Sequence, residues 1–305
     1  MVKLVFVLIV LSFLLVGVAF SSASGSGNEW LPLRTDIKQP VMSIWGSAPN
    51  DVFVVGLELS IFQYNGQRWK TMGPETHQPP LSIWGIGPKD VFVAGNQGMI
   101  LHYDGQAWSV MVRRTGEHAL WGIWGSGPKD VFAVGTGGVI THYDGKVWMP
   151  MRSGTEKSLS GIWGSGPKEF FAVGERGTIL RYDGTGWTPM RSGTDAELRG
   201  VWGTEPNNVF AVGGRGTVLH YDGKEWSTMR RPDEVELTAV WGRDANDVFT
   251  VGWNGVILYY DGKHWSAMSS GTKENLLGVW GAGPKDVFAV GWNGTILHYA
   301  KKETP

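Results

Sequence analysis

Several features that would point to particular chemistry are missing from this chain of 305 residues. It contains no cysteine, which excludes disulfide bonds, thiol nucleophiles and cysteine-ligated metals. The formal charge is only −1, so no basic field indicates nucleic acid as a partner. There is also no Gly-x-Ser-x-Gly, His-Glu-x-x-His, P-loop or dinucleotide-binding motif. We therefore expect no catalytic residues, no cofactor and no metal.

The amino terminus differs from the rest of the chain. Lys3 precedes an apolar run over residues 4–20, and small residues follow up to Gly25. This pattern is typical of a secretory signal, here residues 1–23 with cleavage after Ala23, followed by a linker over 24–29. The alternative is an uncleaved anchor, because the run reaches the short end of membrane-spanning lengths. Both interpretations predict export to the periplasm, the cell surface or the medium.

A repeat fills residues 30–300, and residues 301–305 form a tail. An Ile/Val-Trp-Gly core recurs seven times at spacings of 39 or 40 residues, which is the period of a repeat architecture. The core tryptophans are Trp45, Trp84, Trp124, Trp163, Trp202, Trp241 and Trp280.

Each repeat contains four short β-like segments separated by turn signals, and no helical periodicity. In one unit the predicted strands are 159–164, 170–174, 178–183 and 187–191, with Asp-Gly marking the last hairpin. Four antiparallel strands repeated radially form the blades of a β-propeller. The fold prediction is therefore an all-β, seven-bladed propeller.

The ends of the chain predict how the ring closes. The last repeat stops after His298-Tyr299, before its outer strand, whereas Trp30-Leu31-Pro32 matches the outer-strand pattern Trp187-Thr188-Pro189. We therefore expect the amino-terminal segment to supply the fourth strand of the last blade, which removes an open sheet edge.

The repeat resembles a known group of propellers. Phe-Ala-Val-Gly followed by Tyr-Asp and then Trp-x-x-Met is similar to a shortened kelch-type repeat, and the exported setting resembles bacterial BNR-like or WD40-like propellers. The resemblance implies the propeller fold over residues 30–300, with lectins, scaffolds, assembly factors and enzymes among the functions. Two departures stand out. The kelch double glycine is clear only at Gly213-Gly214, and the Ser-x-Asp-x-Gly-x-Thr-Trp box of sialidase-like propellers is absent.

Residues that recur in every blade are expected to be structural. Seven inner and seven outer tryptophans should pack between blades. Aspartates before the second strand, such as Asp90 and Asp130, are expected to cap turns by accepting backbone N–H groups. Histidines such as His102 and His142 lie a blade apart and cannot share one zinc ion.

Residues that differ between blades are the candidates for function. The loops from outer to next inner strand and from second to third strand share one side of the disc, the variable face. There an apolar arc (Trp253, Trp292, Trp121, Leu277, Met42 and Leu81) is expected beside a basic arc (Arg176, Arg199 and Arg215). Exposed tryptophan and arginine are typical of binding surfaces. The predicted ligand-binding residues are Trp253, Asn254, Trp292, Asn293, Trp121, Arg176, Arg199 and Arg215.

The functional hypothesis is an exported, monomeric, non-catalytic binding or scaffold module. Its partner would be an extracellular or periplasmic protein or a glycan, with sugars stacked on Trp253 and Trp292. One alternative is a lectin with a site in each blade. Another is a polysaccharide hydrolase or lyase, for which Glu58 and Glu175 are the loop-tip carboxylates, in non-adjacent blades.

Overall fold

A computed structural model describes residues 28–73, 78–113, 116, 118–231 and 234–301. The predicted signal at residues 1–23 and the tail after residue 301 lie outside the described residues. In the described part of the chain, no helix is long and apolar enough to span a membrane.

Seven four-stranded antiparallel sheets form the blades, which confirms the predicted propeller. The innermost strands are β2 (Val41–Ala48), β6 (Pro80–Gly87), β10 (Leu120–Gly127), β14 (Leu159–Gly166), β18 (Leu198–Glu205), β22 (Leu237–Asp244) and β26 (Leu276–Gly283). The second strands are β3 (Asp51–Gly56), β7 (Asp90–Gly95), β11 (Asp130–Gly135), β15 (Glu169–Gly174), β19 (Asn208–Gly213), β23 (Asp247–Gly252) and β27 (Asp286–Gly291). The third strands are β4 (Ser60–Tyr64), β8 (Ile100–Tyr103), β12 (Ile140–Tyr143), β16 (Thr178–Tyr182), β20 (Val218–Tyr221), β24 (Ile257–Tyr260) and β28 (Ile296–Lys301). The outer strands are β5 (Trp69–Met72), β9 (Trp108–Val112), β13 (Trp148–Met151), β17 (Trp187–Met190), β21 (Trp226–Thr228), β25 (Trp265–Met268) and β1 (Asn28–Pro32).

The ring closes as predicted, with β1 as the outer strand of the last blade. It pairs antiparallel with β28 from Asn28 opposite Lys301 to Pro32 opposite Leu297. Trp30 is buried against Tyr299 of its own sheet and Phe249 of the preceding blade. This strand begins two residues before the predicted boundary at residue 30, because pairing continues to the end of β28.

The tryptophan layers lie between the blades. In six blades the six-membered ring of the preceding blade's inner tryptophan packs on the glycine of the Trp-Gly core, as Trp202 does on Gly242, whereas Gly164 meets Phe170. Each outer tryptophan packs against a tyrosine of its own blade, mostly with the two rings tilted, and several meet a phenylalanine of the preceding blade edge-on. The outer indole N–H groups are buried without a hydrogen-bond acceptor among the described residues.

The carboxylates predicted to cap turns are the first residues of the second strands, and they do not act as predicted. They pair with a side chain twelve residues later on the third strand rather than with turn amides. Asp130 Oδ1 lies 2.7 Å from His142 Nε2, and Asp90 lies 3.1 Å from His102. Glu169 pairs with Arg181 in the equivalent place. The recurrent histidines are therefore halves of a cross-strand pair near the opposite face.

Candidate functional site

The candidate site lies where the inner strands begin, around the mouth of the central channel. The inner strands enclose a cavity of about 370 Å³ along the axis. One residue from each blade lines its mouth on the variable face: Met42, Leu81, Trp121, Ser160, Arg199, Thr238 and Leu277. Among these lining residues Arg199 carries the only charge, so the mouth is mostly neutral and partly apolar.

The tips of the second-to-third-strand loops surround this mouth. In blades two to seven each tip is a single 3₁₀ turn, for example Trp253–Gly255 and Trp292–Gly294. Its middle residue is left-handed, with φ of 57° at Asn254 and 53° at Asn293. Asparagine tolerates this conformation better than most residues, so the backbone accounts for the two asparagines independently of any ligand. Arg176 and Arg215 occupy the same backbone position in blades four and five.

Three tryptophans are exposed on this face, as expected for residues outside the repeat. Trp121, Trp253 and Trp292 are 42 %, 44 % and 47 % exposed. The Trp121 indole donates to Thr136 Oγ1 at 3.1 Å, which fixes its orientation beside the channel. The turn that carries Trp292 contacts the inner strand β2 of the first blade. The three indoles thus present apolar surface from blades three, six and seven.

The predicted basic arc is largely neutralised by acidic neighbours. Arg199 pairs with Glu197 and Glu236 at 2.9 and 2.6 Å. Arg215 pairs with Asp195 at 3.0 Å. Arg176 is exposed and makes no hydrogen bond or ion pair within the described residues. Charge on this side of the face is therefore mixed, and of these three arginines Arg176 is the one without a carboxylate partner among the described residues.

Glu236 is the central residue of this network. Its side chain is partly buried, which raises the pKa of the carboxyl group. Hydrogen bonds from the Arg215 backbone and the Arg199 guanidinium outweigh that effect, so the pKa lies below the ordinary glutamate value. The carboxylate is thus ionised near neutral pH and compensates the charge of Arg199.

The structure brings some of the predicted residues together. The Arg199 guanidinium carbon lies 5.6 Å from the centre of the Trp253 ring, although the two residues belong to neighbouring blades. Glu197 and Glu236, which the sequence reasoning missed, join them. The sequence does indicate that Glu197 and Glu236 occupy equivalent positions in neighbouring blades, because both immediately precede the leucine of an inner strand at a spacing of 39 residues.

Of the two glutamates considered for hydrolysis, Glu175 has a structural hydrogen bond at its carboxylate, whereas Glu58 has one at its backbone. Glu175 accepts the backbone N–H of Ser158 at 3.1 Å. Glu58 donates its backbone N–H to the Gln39 side chain. No group of three or more histidine, aspartate or glutamate side chains that could hold a metal ion occurs in the ranges that the structure describes.

No protein-family model and no curated protein matches this sequence. Solved structures do resemble the fold. A structure described as YCF48 bound to D1 peptide is 19 % identical, with a TM-score of 0.74 over 90 % of this chain and 96 % of its own. The WD40 propeller of Doa1 is 10 % identical with a TM-score of 0.77, covering 92 % and 99 % of the two chains. Streptogramin B lyase is 14 % identical with a TM-score of 0.77, covering 89 % and 97 %. At these identities the likeness shows the fold alone.

Proposed function

We propose that this chain is an exported, non-catalytic propeller that binds a segment of another protein on its variable face. The proposal depends chiefly on the three exposed tryptophans, Trp121, Trp253 and Trp292. None of them belongs to the layers that build the blades, so the fold does not account for their exposure. Large aromatic side chains at the centre of a surface are typical anchors of protein interfaces.

A protein ligand is favoured over a glycan by the charge arrangement. Two of the three arginines on the face are already paired with carboxylates, so they are less available to recognise sugar hydroxyls. Apolar side chains of a peptide need only the indoles and the neutral mouth of the channel. The similar propeller YCF48 is described with a bound peptide, which supports this ligand class.

Export is the second part of the proposal, and it rests on the leader alone. Lys3, the apolar residues 4–20 and the small residues before Gly25 form the signal pattern. Amino-terminal sequencing of the protein recovered outside the cytoplasm tests it, because a first residue of Ser24 indicates cleavage and retention of Met1 indicates an anchor.

The binding proposal is tested with residues 28–305 and a displayed library of random peptides, alongside a glycan array. The Trp253→Ala/Trp292→Ala variant is expected to bind the selected peptides about thirty-fold more weakly, the size of a hot-spot loss. Ile86→Ala/Val147→Ala is the matched control, since both residues are similarly exposed but lie toward the opposite face, Ile86 at the end of β6 and Val147 in the hairpin between β12 and β13. This control should bind like the parent protein.

Three results would contradict the proposal. Equal binding by the tryptophan variant and the parent would show that Trp253 and Trp292 do not anchor the ligand. Binding on the glycan array without any selected peptide would favour the lectin, and cleavage of a bound polysaccharide would favour the enzyme.

A further inference from the structure

Glu236 connects three separate parts of the variable face. Its carbonyl oxygen accepts the backbone N–H of Trp253 at 2.9 Å. Its carboxylate accepts the Arg199 guanidinium at 2.6 Å and the Arg215 backbone N–H at 3.0 Å. Glu236 thus links the start of β18 and the tip turn of blade five to the tip turn of blade six.

Arg199 is held on all sides by these contacts. One guanidinium nitrogen is paired with Glu236, another with Glu197, and the planar group faces the Trp253 indole at 5.6 Å. Two carboxylates already compensate its charge, so an incoming anion would have to displace one of them. A guanidinium fixed in this way restricts the indole that it faces, because the cation–π contact is lost when the ring turns.

Trp292 provides an internal comparison. It occupies the same tip position one blade further, and the entrance residue of the blade before it is Thr238 instead of arginine. The Thr238 hydroxyl is committed to the carbonyl oxygens of Val251 and Leu276, at 3.0 and 2.7 Å. In the part of the chain that the structure describes, Trp253 is the indole of this face that is stacked by a cation.

We infer that Arg199 is a positioning residue, which Glu197 and Glu236 hold so that it fixes the Trp253 indole for the ligand. The inference rests on the proposed binding function and refines it. Trp253 is then the rigid anchor of the site and Trp292 the adaptable one. Recognition at Trp253 does not require an acidic group in the ligand, because Arg199 acts through the indole.

A double-mutant cycle tests this inference. The probe is a peptide selected on the parent protein that contains no acidic side chain and has an amidated carboxyl end. Arg199→Met retains a long side chain without charge and should weaken binding roughly five-fold. The same change should have almost no effect in a Trp253→Ala background and its full effect in a Trp292→Ala background.

Equal effects of Arg199→Met in both backgrounds, or no effect in the parent, would overturn the inference. Arg199→Lys keeps a cation but not the planar group that pairs with Glu197 and Glu236 through two nitrogens, and should restore part of the affinity that Arg199→Met loses. Thermal melting of each variant verifies that the fold is retained.

A second readout needs no ligand, so it separates this inference from the proposed function. Fluorotryptophan incorporated into the protein gives a resonance for Trp253 that Trp253→Phe identifies. Arg199→Met and Glu236→Gln should each shift that resonance and leave the Trp292 resonance in place. An unchanged Trp253 signal would contradict the positioning role even if no peptide had been found.

Discussion

Closure of the ring by β1 predicts a particular response to the loss of Trp30. This side chain is 5 % exposed and lies 5.3 Å from Tyr299 and 6.0 Å from Phe249, measured between ring centres. Trp30→Ala removes the aromatic contact between the first and last strands of the chain. It leaves the sequence of every other blade unchanged.

The expected loss follows from the burial of the ring. Replacing a buried tryptophan by alanine costs about 3–5 kcal/mol, because the transferred surface and the cavity both contribute. For a domain of this size each kcal/mol lowers the melting temperature by about 2–4 °C, so we expect a decrease of roughly 10 °C. Trp187→Ala is the matched control, since Trp187 lies 5.3 Å from Tyr182 and 6.0 Å from Phe132.

Melting followed by intrinsic fluorescence and amide hydrogen exchange distinguish the two variants. Both should lose similar stability, but only Trp30→Ala should accelerate exchange along the β28 edge. The reason is that β17 remains joined to β16 by the Asp183 hairpin, whereas β1 has no such hairpin to β28. If β28 exchanges as slowly in Trp30→Ala as in the parent, β1 is not what closes the ring.

Three further predictions concern the blades and the site. Gly242→Ala should lower the free energy of unfolding by about 1–3 kcal/mol in chemical denaturation, because an added methyl group would lie 2.5 Å from the Trp202 ring. Gly166→Ala, which meets no atom within 4 Å, is the control and should change stability little. Burial lowers the pKa of His220 below its ordinary 6.5, so its contribution to stability is present above that pH and lost as the pH falls below it. His220→Gln should therefore reduce the difference between melting temperatures at pH 7.5 and pH 5.5, and an unchanged difference would contradict this. The pKa of Glu236 is lowered from 4.5, so the Arg199 pairing is present above that value and should weaken on further acidification. In the parent protein, the affinity for a peptide without acidic groups should decrease as the pH is lowered below 4.5. Glu236→Gln should make this affinity less dependent on pH.

The fold could be predicted from the sequence because its cause is repeated. The Trp-Gly core recurs in all seven blades at spacings of 39 or 40 residues and the Asp-Gly turn recurs in five of them, so repeated copies support the same strand pattern. The closing strand was also visible, since Trp30-Leu31-Pro32 matches the outer strand of other blades. The cross-strand pair of Asp130 and His142 is not evident from either residue alone, and only the recurrence of both residues twelve positions apart indicates it.

The candidate site was only partly accessible from the sequence. The exposure of Trp121, Trp253 and Trp292 followed from their position outside the repeat. The pairing of Arg199 with Glu236 did not, because the two residues are 37 positions apart and meet only through the rotation between neighbouring blades. The net charge of a surface depends on such contacts between blades. The three arginines in the sequence therefore did not suffice to predict the charge of the variable face.

The antiparallel pairing of β1 with β28 also decides how the disc can be attached to something else. β28 leaves the tip turn Trp292–Gly294 on the variable face and runs to the opposite face, where Lys301 lies beside Asn28. The polypeptide therefore enters and leaves the ring at one place, at the rim of the face that does not carry the tryptophans. A surface, a label or a fused domain joined at either point would be attached at the face opposite the variable face. The mouth of the channel with its tryptophans would then remain accessible.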